Sequence, residues 1–159
     1  MGIPAHIQLV TGIFGATFFV LGMRDIFMPG YALPMPGDGE LVAAFFGPLP
    51  VGSCGKKDVS CLPGKMLMLS QMWGVLLACV AAVKLAVVFS HPEGTFLRRN
   101  LFVVFGAFDL LMAYIGNSHA AYLATQGASV TPFVAGLCLE GVLFLQDALM
   151  RPREMKKVK

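Results

Sequence analysis

Away from the Arg24-Asp25 pair near the exit of the first apolar run, four ionisable side chains interrupt the long apolar runs of this sequence: Lys84, Asp109, Glu140 and Asp147. Placing a charge at the centre of a bilayer costs at least about 2.5–3.5 kcal/mol even on a permissive insertion scale, so each needs a compensating role. One amine and several acids supply the parts for three such roles: gripping another helix, reading an amine or sterol-like group, or relaying a proton. Acid–base chemistry would fall to the carboxylates and Lys84 alone, because His6, His91 and His119 all lie near the ends of the apolar runs. No catalytic constellation is recognisable, and the expectation is a non-enzymatic chain with no catalytic residues, cofactor or metal.

Depth and helical phase sharpen this reading. At 1.5 Å per residue, Asp109 lies about 16 Å from Arg98 and Glu140 about 15 Å from Met150, which brings both acids to the midplane at matching height. Lys84 lies about 9 Å from Ser90, and its stem reaches either that interface or a carboxylate further in. Asp147 is shallower and precedes Arg151 by four residues, so a local ion pair between them is expected. The central expectation is a buried cluster of Lys84, Asp109 and Glu140, one acid ion-paired and the other protonated, since two adjacent midplane carboxylates cannot both stay charged cheaply. Such a cluster orients the helices or pairs with a neighbouring subunit; a ligand site or proton relay is the alternative.

The elements that position these groups follow from composition. Of 159 residues, 57% are hydrophobic and only 13% charged, against about 25% charged in a soluble domain. The chain is read as an all-α integral membrane protein with four spans, about 4–28, 66–89, 98–116 and 130–150, and a basic tail over 151–159. It is too short for a large enzyme domain, and its small basic excess, gathered mainly in the last nine residues, does not suit nucleic acid. The segment 29–65 reads as an extramembrane loop, because Pro29 to Gly64 carries six prolines and seven glycines. Within it, Leu41 to Phe46 is too short to span and is expected to pack at the interface. No cleavable leader is evident, and His6 occupies the position where N-myristoylation requires Ser or Thr.

On the fourth span, Phe133, Gly136, Glu140, Phe144, Asp147 and Arg151 share one stripe that should face protein. On the third, Gly106, Asp109, Ala113 and Gly116 share a face that permits close approach. The second carries Gly74, Ala78, Ala82 and Ala86 at four-residue spacing, expected to pack on Gly12 and Ala16 of the first, with Trp73, Leu77 and Lys84 roughly opposite.

Arg98, Arg99, Arg151, Arg153, Lys156, Lys157 and Lys159 fall on the side that holds both termini, which the positive-inside rule assigns to the cytosol, matrix or stroma. The long loop then faces the other side, where a disulfide between Cys54 and Cys61 is plausible, with two reduced thiols as the alternative. Their C-x6-C spacing and the lack of a nearby His argue against zinc. Cys79 and Cys138 lie within spans as small apolar residues.

Trp73-Gly74, followed ten residues after the Gly by Lys84, a short polar turn and a third span, resembles the small four-helix scaffold family of the sterol C4-demethylation complex. The likeness covers about residues 71–159. It implies a four-helix protein of the endoplasmic reticulum that tethers enzymes and does no chemistry itself. Asp109 stands near the family's usual His, the family's acid at the end of the third span has no counterpart, and the first loop is longer.

The function expected is therefore an accessory or scaffold subunit of a larger membrane complex in a eukaryotic organelle: mitochondrial inner membrane, thylakoid or endoplasmic reticulum. Its partners would be other membrane subunits and lipids. A lipid- or sterol-binding protein, or a small membrane enzyme using the buried acids, is the alternative; transport ranks last, because four spans without an inverted repeat make a poor alternating-access machine.

Overall fold

The computed structural model describes residues 3–34, 38, 42, 64–90, 96–125 and 129–150, with 64–66 as backbone alone. Regular structure among them is helical: α1 (Ala5–Phe27), α2 (Gly64–Ser90), α3 (Phe96–Ser118), a short α4 (Ala120–Thr125) and α5 (Thr131–Met150). Four of these helices are long and apolar enough to cross a membrane. Only 28–39% of each most apolar stretch is buried inside the chain, so most of the apolar surface faces outward, as in a multi-pass integral membrane protein.

Local chemistry sets the helix ends. α1 closes at Met28, whose N–H donates to the Arg24 carbonyl at 2.6 Å. Pro29 cannot continue the ladder, and Gly30 takes a positive φ of 77°, so that the Tyr31 N–H returns to the Met28 carbonyl at 3.0 Å in a tight turn. α5 opens on Thr131-Pro132, where the missing proline N–H would have had no intrahelical partner. The connection after α3 holds α4, nearly continuous with α3 through the Leu123 N–H on the His119 carbonyl. Leu123 and Val130 bury each other there beneath Ala120 and Val134.

Two antiparallel pairs, α1 with α2 and α3 with α5, make the closest backbone approaches. Glycine permits both. A Cβ on Gly22 would lie 2.6 Å from the Ala78 nitrogen and 2.7 Å from the Gly74 oxygen; one on Gly106 would lie 2.8 Å from the Gly141 oxygen. Between the pairs runs a seam filled by large side chains instead. Phe18 meets Phe133 at 5.6 Å between ring centroids, Phe14 covers Gly136, and Val87, Val88, Phe102, Phe105 and Phe144 share a buried cluster with Ile3, Ile7 and Ala148.

The four-residue ladder on α2 is corrected by this packing. Gly74 and Ala78 lie against α1, but Ala82 and Ala86 are exposed, and Ala81 and Leu85 carry the contact onward. Steps of four residues drift about 40° per step around a 3.6-residue helix, so a straight interface must mix steps of four and three. On α1 the partner glycines are Gly15 and Gly22; Gly12 meets only the Phe89 ring, and Ala16 is exposed.

Candidate functional site

The seam also carries the buried charges. Lys84 points from α2 across to the other pair, where its Nζ donates to Asp109 Oδ1 and Oδ2 at 2.6 and 2.7 Å and to Glu140 Oε2 at 2.9 Å. All three residues are at most 5% exposed. The ammonium has three protons and three acceptor oxygens, and the faces of Phe144 and Phe105 lie 5.6 and 5.9 Å from it. The sequence-level cluster of Lys84, Asp109 and Glu140 is thus one group inside a single chain. One amine links α2, α3 and α5.

A second pair lies nearer the end at which α3 begins and α5 finishes. Asp147 faces inward and accepts from Arg98 Nη2 at 3.3 Å, with both side chains buried. The expected partner Arg151 lies outside the described residues. Arg98, read as an exposed topology charge, instead packs over the Phe102 ring with 5.6 Å to its centroid. The sequence did hold a signal for this: Arg98, Phe102, Phe105 and Asp109 follow one another at helical spacing on a single face. In a double-mutant cycle of Arg98→Met and Asp147→Leu, a coupling of about 0.5–3 kcal/mol is expected; purely additive losses would show that the two act separately.

A third group closes the opposite end. Arg24 Nε donates to Asp25 at 2.8 Å, and its Nη1 donates to both Asp38 oxygens at 2.8 and 2.6 Å. Asp38 also accepts from the Leu33 N–H at 2.7 Å, which ties the loop back to α1. Asp38 belongs to the stretch 29–65 read as an extramembrane loop, and nothing in its spacing marks it as the partner of Arg24.

The remaining predicted positions fall as follows. Gly136 is buried under Phe14, Gly106 under Leu145 and the Gly141 carbonyl, and Gly116 sits half-buried against Val134. Cys79 and Cys138 are exposed on the apolar surface. Cys54 and Cys61, and most of Leu41 to Phe46, lie outside the described residues; Val42 is buried. Among the described residues no group of three His, Cys, Asp or Glu is placed to hold a metal ion.

No family model, no curated protein and no solved structure matches the chain. The chemistry of the site therefore rests on its own geometry. The charges are arranged as cross-links: each described cation in the bundle interior touches an acid from another helix or from the loop. Inside hydrocarbon, breaking a cross-link of this kind exposes an uncompensated charge, so Lys84 holds the two helix pairs in one register, while Arg98–Asp147 ties α3 to α5 and Arg24–Asp38 ties the loop to α1.

Proposed function

We propose that this chain is a non-enzymatic accessory or scaffold subunit of a larger membrane complex. The observation that carries the reading is Lys84 engaged with both Asp109 and Glu140 across the seam. That arrangement makes the four spans one preassembled block, with the titratable groups acting as internal ties. The outward faces, with Trp73, Leu76 and Val80 on α2 and Phe108, Leu111 and Tyr114 on α3, are left to lipid and neighbouring subunits. Sequence charge favours both termini on the cytosolic, matrix or stromal side, with the long loop and a Cys54–Cys61 disulfide on the other. The resemblance to the sterol C4-demethylation scaffold family points to the endoplasmic reticulum; a mitochondrial inner membrane or a thylakoid suits the same build.

The test is mild-detergent extraction of the full chain from its native membrane, with identification of what travels with it. A defined assembly with stoichiometric membrane subunits is expected, lost on replacing outward residues of α2 or α3 without loss of the helical block. A monomer that stays monomeric after crosslinking in the intact membrane would end the reading. Glu140→Leu should damage both block and assembly; an unchanged assembly would count against the cluster's role in it.

One observation favours the second reading, a lipid- or sterol-binding protein: Glu140 Oε1 is buried without a hydrogen-bond partner among the described residues. Retention of a sterol or cationic amphiphile by the purified chain, abolished in Asp109→Asn, would move the assignment there.

A further inference from the structure

The end of the bundle where α3 begins and α5 finishes carries more positive charge than its own acids can match. Asp147 is engaged by Arg98. That leaves Arg99, Arg151, Arg153, Lys156, Lys157 and Lys159 on this side against two acids, Glu93 and Glu154. The opposite side is balanced: Arg24, Lys56, Lys57 and Lys65 are matched in number by Asp25, Asp38, Glu40 and Asp58.

Arg99 fixes where the excess sits. Its side chain is half-buried and has no hydrogen-bond or ion-pair partner among the described residues, although the adjacent Arg98 is engaged. Arg99 precedes Gly106 by seven residues and so shares the face of α3 that meets α5. A Cβ on Gly106 would touch Leu145 and the Gly141 oxygen. Because the two helices are antiparallel, two turns back along α3 correspond to two turns forward along α5, and Arg99 stands at the level where α5 ends at Met150 and the basic tail begins. The surface beside it is apolar: Val103, one turn deeper on α3, and Leu149 and Met150 at the end of α5 are all exposed.

Unmatched cations at the rim of an apolar helix surface suit a ligand with an anionic head and hydrocarbon tails. We propose that this corner binds an anionic phospholipid, with the headgroup phosphate on the Arg99 guanidinium, the tail's cations supplying further charge around it, and acyl chains along Val103 and Leu149. The planar guanidinium fork matches two phosphate oxygens at once, and a basic cluster directly beyond a membrane span is the usual recognition element for such lipids. The assignment does not depend on the scaffold reading.

Native mass spectrometry of the full chain, released from detergent, resolves individual bound lipids and tests the proposal. The first phosphatidylglycerol is expected to bind at least about fivefold more tightly than the first phosphatidylcholine, since each Lys or Arg near anionic lipid contributes about a fivefold gain. Arg99→Gln should reduce that preference about fivefold, and Arg99→Lys, which keeps the charge without the fork, should reduce it less. Joint replacement of Lys156, Lys157 and Lys159 by Gln should also weaken it, as should raised ionic strength. Lys56→Gln with Lys57→Gln, on the other side, should leave it unchanged. Equal affinity of the native chain for the two lipids, or a preference unmoved by Arg99→Gln, would overturn the proposal. So would an equal loss from the Lys56 and Lys57 replacements, which would mark a general effect of net charge. Glycerol phosphate binding as tightly as the whole lipid would assign the corner to a soluble anion instead, and polyglutamate displacing the lipid would assign it to an acidic polypeptide.

Discussion

Lys84→Met is expected to lower the stability of the bundle by about 3–5 kcal/mol, the range for removing one partner from a buried ion pair. The methionine fills much the same volume, so the loss reports charge rather than packing. Asp109 and Glu140, neighbours on the α3–α5 side of the seam, would then lack their shared cation. Adding Asp109→Leu and Glu140→Leu to Lys84→Met should recover most of the loss, because an apolar replacement of a whole buried ionic group is often neutral or stabilising. Reversible unfolding in bicelles, followed by steric trapping, gives both numbers. A loss below about 1 kcal/mol for the single variant, the range of exposed pairs, would mean that water reaches the group.

The second large effect is steric. Gly22→Ala places a methyl carbon 2.6 Å from the Ala78 backbone nitrogen and 2.7 Å from the Gly74 oxygen, and backbone cannot swing aside. α1 must therefore lift from α2, at about 1–3 kcal/mol, typical of an overpacked interface. Gly12→Ala on the same helix is the control: its new carbon meets only the Phe89 ring at 3.4 Å, ordinary van der Waals contact. That variant should be neutral or slightly stabilised, since alanine favours the helix over glycine by up to about 1 kcal/mol. Ala82→Leu should also be silent, because Ala82 faces outward. Equal losses at Gly22 and Gly12 would contradict the described register of α1 on α2.

The four spans were legible in the sequence because each is a long apolar run bounded by proline, glycine or charge, a signal that survives without any knowledge of packing. The union of Lys84, Asp109 and Glu140 was legible for a related reason: depth follows from helical rise, and few partners exist at mid-depth. Other readings failed where a surface property stood in for a contact. Arg98 counts as an interfacial charge in a topology argument, yet its position one turn before Phe102 on the Asp109 face turns it toward Asp147. The α2 ladder failed on arithmetic, since exact four-residue spacing leaves the interface after two steps. Asp38 was not legible at all: its pairing with Arg24 depends on how a proline- and glycine-rich loop returns to α1, which no periodicity encodes.

The seam has a consequence for biosynthesis. Lys84 precedes Asp109 by 25 residues and Glu140 by 56, and both counterions belong to the later helix pair. At about 5–20 residues per second, the lysine is made roughly 3–11 s before Glu140 exists. During that interval the first hairpin, already zipped through Gly22 and Gly74, holds an orphan ammonium whose flexible stem can lean toward the headgroups near Ser90. Ribosome release of a chain truncated between the hairpins would leave that cation permanently unmatched, a mark by which membrane quality control can tell half a molecule from a finished one.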